Sequence, residues 1–138
     1  GIRGIAGATR ANNFGREKDY VSIADDNICV ICQIESIEAC KNIKEIASTE
    51  GVDLLFVGPG DLSADMGFIK NRNASEVKDM AIKILEKAKE CGKPCGIMVG
   101  NITEAKEMLE LGFSVIAVTT DLVLLRNAVD EIGQLAKE

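Results

Sequence analysis

A chain of 138 residues, 46% of them hydrophobic, is long enough to bury one core, and its formal net charge is −6. This acidic balance argues against nucleic-acid binding, and no apolar run is long enough to cross a bilayer. No secretory signal opens the sequence, so we expect a cytoplasmic protein without membrane partners. The five cysteines lack a zinc-knuckle spacing, and we expect buried free thiols.

The hydrophobic pattern alternates strands with helices after an irregular opening. Residues 1–16, rich in Gly and Arg, predict a loop. Short apolar runs predict strands buried on both faces, and longer stretches with an apolar stripe predict helices. The predicted elements are, in order, a helix at 17–25, a strand at 28–34, a helix at 36–49, a strand at 52–57, a helix at 75–91, a strand at 95–99, a helix at 103–111, a strand at 113–118 and a helix at 121–136.

This order predicts an α/β fold built from parallel β/α units, each joined by a right-handed crossover. Four units are too few for an eight-stranded barrel, which needs about 250 residues. A complete four-stranded doubly wound domain is therefore one architecture that the sequence allows.

The first candidate site follows the second predicted strand, where Gly58-Pro59-Gly60 interrupts the apolar run. Asp61 then lies just past the C-terminal end of a buried strand, which is the edge where parallel sheets bind ligands. A carboxylate beside exposed backbone N–H groups can hold a hard cation and an anionic ligand together. Alternatively, Asp61 caps the next helix and Gly-Pro-Gly is only a turn.

The second candidate site ends the first predicted strand. Gln33 and Glu35 are two residues apart, so on a strand their side chains point to the same side. Two polar groups at the end of a buried strand are costly unless they face a wet cavity or a ligand. Because neighbouring strands lie about 4.8 Å apart, Glu35 and Asp61 can both reach one ion.

These segments, taken together, resemble the HpcH/HpaI aldolase family. The similarity includes Gln33-Ile34-Glu35-Ser36, residues 57–67 and the opening residues 1–10 with Phe14-Gly15-Arg16, and it runs through nearly the whole chain. It implies the family's (β/α)8 barrel, of which residues 1–138 are the C-terminal half, strands five to eight. A half barrel leaves two sheet edges unpaired, so we expect either a missing N-terminal half or pairing between copies.

The resemblance also implies a function. Family members are metal-dependent (class II) aldolases, carbon–carbon lyases that reversibly cleave a 2-keto-3-deoxy or 4-hydroxy-2-oxo acid to pyruvate and an aldehyde. It implies that Glu35 and Asp61 bind a divalent metal, Mg²⁺ or Mn²⁺ with Co²⁺ as a further option. Gln33 and the backbone at Gly60 and Asp61 then bind pyruvate, and we expect a homo-oligomer.

The family's proton-transferring His and oxyanion-stabilising Arg come from the N-terminal half, so no catalytic residue is assigned in this chain. The chain has no histidine, and we expect the isolated fragment to be inactive. Thr119-Thr120 departs from the Gly-Val pair that many relatives carry before Asp121. Two alternatives stay open: another pyruvate-superfamily lyase, acting on a citryl or malyl ester, and a non-catalytic α/β module.

Overall fold

The computed structural model describes residue 2 and residues 4–69 and 71–135. Four strands form one sheet in which every pair of neighbours is parallel, and the spatial order is the chain order. The predicted class, parallel β/α units, is therefore confirmed, and half of a (β/α)8 barrel has this arrangement. The strands are β1 (Ile31–Ile34), β2 (Leu54–Val57), β3 (Cys95–Val99) and β4 (Val115–Val118).

Helices connect and flank the strands. All but α1 follow a strand, as expected for β/α units. No helix in the described part of the chain is long and apolar enough to span a bilayer. The helices are α1 (Tyr20–Ile23), α2 (Ile37–Lys41), α3 (Ile43–Ser48), α4 (Pro59–Asp65), α5 (Ser75–Glu90), α6 (Ile102–Leu111) and α7 (Asp121–Leu135), and 3-10 turns occupy Arg10–Gly15 and Asp25–Asn27.

Several predicted boundaries were wrong. The helix predicted at 17–25 is the single turn α1 followed by a 3-10 turn. The helix predicted at 36–49 is broken between α2 and α3, because Asn42 leaves helical geometry at φ −98° and ψ 12°. The first strand begins at Ile31, three residues later than the predicted start at residue 28. The Val30 N–H there donates to the Asp53 side chain, at 2.7 Å.

The opening residues are irregular, as predicted, but they are organised around one buried side chain. Asn12 Oδ1 accepts hydrogen bonds from the Thr9 and Gly15 N–H groups, both at 3.0 Å, and its Nδ2 donates to the Gly7 carbonyl at 3.0 Å. Residue 136, where the last predicted helix ends, lies outside the described residues.

The two faces of the sheet differ in burial. One face packs on the helices, and Leu55, Val57 and Ile97 are almost fully buried there. The opposite face carries residues that are 49%, 36% and 40% exposed, namely Ile31, Met98 and Val115. In a (β/α)8 barrel, the face turned away from the helices lines the interior. The open face here corresponds to that interior.

Candidate functional site

The end of β1 brings two polar side chains to one place. Gln33 pairs in register with Phe56, and Ile34 with Val57, so Glu35 lies beside Gly58 at the end of β2. A Cβ atom at position 58 would lie 2.9 Å from Gln33 Nε2 and 2.9 Å from Glu35 Oε2. The two side chains thus meet above Gly58, on the same side, as their spacing predicted. A side chain at position 58 would displace both of them.

Helix α4 presents Asp61. No helix is predicted between residues 57 and 75, but α4 begins immediately after Gly58, because Pro59 at its first position is preset for helical geometry. Asp61 lies in the first turn, so it does not cap the helix as the simpler alternative supposed. The buried Ser63 hydroxyl donates to the Gly60 carbonyl at 2.6 Å and fastens that turn.

One hydrogen bond ties the Glu35 segment to α4. Asp65 at the end of α4 accepts a hydrogen bond from the Ile37 N–H at 2.6 Å, which is the first N–H of α2. Ser36 caps the same helix through a 3.1 Å bond from the Ala39 N–H. Because Ser36, the N-cap of α2, follows Glu35 directly, the Asp65 bond links the Glu35 segment to α4.

A cavity of about 420 Å³ opens at this edge of the sheet. Gln33, Gly60 and Asp61 are among the residues that line it, so three predicted site residues share one cavity. Glu35 is not part of the lining. It lies beside Gln33, half-buried against Gly58. The cavity is also lined by α5 and α6, which supply Lys78 and Glu107.

Sequence reasoning missed Arg72, which also lines the cavity. It belongs to the loop before α5, and its Nη2 would lie 2.6 Å from a Cβ atom at Gly100, just past the end of β3. Nothing local signals this role, because only the tertiary fold returns the loop to the sheet edge.

Few side chains at this site could coordinate a metal ion. Within residues 2, 4–69 and 71–135, no three His, Cys, Asp or Glu side chains gather in a way that would hold a metal. The predicted site therefore consists of two carboxylates from neighbouring strand ends. Such a pair offers hard oxygen ligands and leaves most coordination positions of the ion to water and substrate. Mg²⁺ is commonly bound in this way.

No cysteine is among the described residues that line the cavity. All five are free thiols, and Cys40 and Cys95 are buried, whereas Cys29 is exposed and Cys32 and Cys91 are half-buried. Burial raises the pKa of Cys95 to about 12, although nearby Lys89 opposes the shift, and burial also raises the pKa of Cys40. The expectation of free thiols agrees with the structure, but full burial holds for only two of the five.

The sequence model of the family described as HpcH/HpaI aldolase/citrate lyase matches residues 2–128. The chain belongs to this family. Among named family members, a 5-keto-4-deoxy-D-glucarate aldolase from Citrobacter koseri is 41% identical over the whole chain. A 4-hydroxy-2-oxo-heptane-1,7-dioate aldolase from Shigella sonnei is 43% identical over 134 residues.

The structural comparison agrees with the sequence. A crystal structure of an HpcH/HpaI aldolase/citrate lyase family protein from Burkholderia cenocepacia superposes with a TM-score of 0.87 at 35% identity, over all of this chain and 54% of that one. The chain likewise covers 54% of the Citrobacter protein and 51% of the Shigella protein. It thus spans about half the length of the HpcH/HpaI relatives that it matches.

The residue just after β4 has an unusual backbone conformation. Thr119, just after β4, has φ 56°, a left-handed conformation that is a genuine outlier for a β-branched residue. Its N–H donates to the Val99 carbonyl at 2.9 Å, which holds the backbone in place. Glycine adopts this conformation without a steric penalty.

Proposed function

We propose that this chain is the C-terminal half of a metal-dependent aldolase. The reaction is reversible aldol cleavage of a 2-keto-3-deoxy or 4-hydroxy-2-oxo acid to pyruvate and an aldehyde. The observation that carries the proposal is the meeting of Gln33 and Glu35 above Gly58, beside a cavity that Asp61 lines. Family membership and the named aldolase relatives support the reaction class.

Glu35 and Asp61 are the proposed ligands of a divalent cation, Mg²⁺, Mn²⁺ or Co²⁺. Both are carboxylates at ends of neighbouring strands, and the chain offers no histidine that would favour zinc. A bound cation would polarise the keto group of pyruvate and so favour loss of a methyl proton.

Gln33 and the first turn of α4 are the proposed pyruvate site. The Gln33 amide donates to a substrate oxygen from the side that also holds Glu35. The Gly60 and Asp61 N–H groups lie in the first helical turn, where backbone N–H groups lack partners within the helix and attract anions. They would therefore bind the pyruvate carboxylate.

A proton-transferring base is proposed to come from four further β/α units that complete the barrel, because this chain has no histidine. Those units would also cover the open sheet face and pair with the outer edges of β1 and β4. In this arrangement we propose a cytoplasmic homo-oligomer, with residues 1–138 providing strands five to eight.

The experiment is a coupled pyruvate-release assay on the protein with all eight units, with and without a chelator. Asp61→Ala and Glu35→Ala should abolish turnover, whereas Gln33→Ala should reduce it by about tenfold or less, because it removes one hydrogen bond worth about 0.5–1.5 kcal/mol. Glu38→Ala is the matched control, an exposed carboxylate on α2 outside the cavity. Full activity of Asp61→Ala, or activity that a chelator leaves untouched, would refute the metal-dependent mechanism. Cleavage of a citryl or malyl ester without aldolase activity would favour the other lyase class.

A further inference from the structure

The two proposed cation ligands lie on different elements, so their separation depends on how those elements are joined. Glu35 follows β1 directly, and Asp61 lies in the first turn of α4. Two carboxylates that already stand at the right separation bind an ion more tightly than two that must first be ordered, because ordering them costs conformational entropy. Contacts that fix the end of β1 relative to α4 therefore affect the affinity of the site.

Two hydrogen bonds bracket Glu35 in the chain, one on each side. Before it, the Ile34 carbonyl accepts the Gly58 N–H at 3.2 Å, which continues the pairing of β1 with β2. After it, the Ile37 N–H donates to Asp65 Oδ2 at 2.6 Å. The first bond joins two backbone groups, whereas the second depends on one side chain. Loss of the Asp65 carboxylate would therefore release the chain on the far side of Glu35.

Asp65 lies on the same side of α4 as Asp61. The two residues are four apart on one helix, so they share a face, and their Cβ atoms are about 5–6 Å apart. One carboxylate of this face is the proposed cation ligand, and the other accepts the N–H at the start of α2. A single helix therefore connects the contact with Ile37 to the position of Asp61.

Asp65 does not act as a third ligand in this arrangement. Among the described residues, no three His, Cys, Asp or Glu side chains gather in a way that would hold a metal, and the Asp65 carboxylate already accepts the Ile37 N–H. That N–H is the first of α2 and has no acceptor within its own helix, so only water competes with Asp65 for it.

We propose that Asp65 is a positioning residue of the cation site, which holds Glu35 at the distance from Asp61 that a divalent ion requires. This role rests on the proposed metal-dependent function and adds a residue to it. A purely electrostatic role is the competing explanation, because a carboxylate attracts a cation without touching it. The two explanations differ in the effect of asparagine at position 65, since its side-chain carbonyl still accepts the Ile37 N–H but carries no charge.

The test measures three quantities on the protein with all eight units. Electron paramagnetic resonance of the free ion gives the Kd of Mn²⁺, urea unfolding gives the free energy of unfolding, and hydrogen exchange reports on the Ile37 N–H. The variants are Asp65→Ala and Asp65→Asn. Asp53→Ala is the matched control, because Asp53 Oδ2 likewise accepts a backbone N–H from a neighbouring segment, that of Val30 at 2.7 Å, but at the opposite end of β1 and β2.

Asp65→Ala should raise the Kd of Mn²⁺ by about three- to tenfold, as expected for the loss of one exposed hydrogen bond, and should speed exchange of the Ile37 N–H. Asp65→Asn should keep the Kd within about twofold of the original value, because it keeps the acceptor. Asp53→Ala should lower the free energy of unfolding as much as Asp65→Ala does and leave the Kd unchanged. An unchanged Kd in Asp65→Ala, an equal rise in Asp53→Ala, or an Asp65→Asn variant as weak as Asp65→Ala would overturn the assignment.

The two proposals fail differently. Asp61→Ala should weaken Mn²⁺ binding far more than Asp65→Ala does. If Asp61→Ala leaves the Kd unchanged, the proposed cation site is wrong and the assignment of Asp65 falls with it. If Asp61→Ala weakens binding and Asp65→Ala does not, only the assignment of Asp65 is wrong. If the unmodified protein binds Mn²⁺ through Asp61 but releases no pyruvate in the coupled assay, the aldolase function fails, and the Kd values alone decide the role of Asp65.

Discussion

Gly58→Ala is the substitution that most directly probes the packing of the site. A Cβ atom there would lie 2.9 Å from Gln33 Nε2, 2.9 Å from Glu35 Oε2 and 3.1 Å from Glu35 Cβ. Van der Waals contact requires more room than this, so both side chains must move. The two nearest atoms end flexible side chains, whereas Glu35 Cβ is fixed to the backbone at the end of β1.

The effect on folding should be small. Gly58 has φ −100° and ψ 84°, which alanine also reaches, so no left-handed strain is introduced. Replacing Gly by Ala restricts the unfolded chain, which stabilises by about 0.4–1 kcal/mol. Crowding of a packed position destabilises by about 1–3 kcal/mol, and the mobile ends of Gln33 and Glu35 place this case at the low end. The free energy of unfolding should therefore fall by no more than about 1 kcal/mol.

The effect on activity should be much larger. Displacing a catalytic or binding group by about 1 Å can lower the rate about a hundredfold, and here two proposed site residues are displaced together. We expect kcat/KM and Mn²⁺ affinity to fall by at least about tenfold. Urea unfolding, steady-state kinetics and Mn²⁺ titration measure the three quantities. Gly133→Ala is the control, because a Cβ atom there has nothing within 4 Å.

A Gly58→Ala protein with unchanged kinetics and unchanged Mn²⁺ affinity would refute this reasoning. It would mean that Gln33 and Glu35 do not need their places above Gly58 to function. A protein that fails to fold would contradict the stability estimate instead, and the urea measurement separates the two outcomes.

Three further predictions concern stability. Thr119→Gly should raise the free energy of unfolding by about 0.5–1 kcal/mol, because it relieves the left-handed conformation of a β-branched residue; an unchanged urea midpoint would contradict this. Asn101→Ala should lower it by about 1 kcal/mol, since the side chain caps α6 through a 2.9 Å bond from the Glu104 N–H, and chemical denaturation should detect the loss. Cys95, with its pKa raised from 9.0 to about 12, stabilises the fold fully below about pH 9, and this contribution is lost as pH rises toward 12. Between pH 9 and 12, the free energy of unfolding of the unmodified protein should fall by about 1 kcal/mol per pH unit more than that of the Cys95→Ala variant. If the free energies of unfolding of the two proteins change in parallel with pH, the idea is wrong.

Most of the architecture was predictable, because it depends on local hydrophobic pattern. The four apolar runs gave four strands, and parallel pairing followed from the helices between them. The boundaries near residue 42 and residue 59 were not predictable in the same way. A break at Asn42 depends on the packing of two short helices, and Pro59 can open a helix as readily as it ends a strand.

The site residues, too, separate into those that the local sequence predicts and one that depends on the tertiary fold. Gln33 and Glu35 share a side because strand periodicity dictates it, and their meeting above Gly58 needs only parallel register. Arg72 could not be found this way. Its loop has no period, and its position beside Gly100 depends on how α5 and α6 pack, a contact between segments far apart in sequence.

The spatial order of the sheet, identical with the chain order, has a consequence for how the molecule forms. Each strand needs only its predecessor as a partner, so a growing chain meets its docking surface as soon as one further helix and strand are complete. The pairs Ile31–Leu54, Leu55–Cys95 and Gly96–Val115 are 23, 40 and 19 residues apart, so each pairing must close a loop of that length and forms more slowly than the contacts within a helix. Loss of β4 and α7 would leave the pairings of β1 with β2 and of β2 with β3 whole. Each added unit therefore needs only the preceding strand as a partner, and the last strand presents an unpaired edge to the next one.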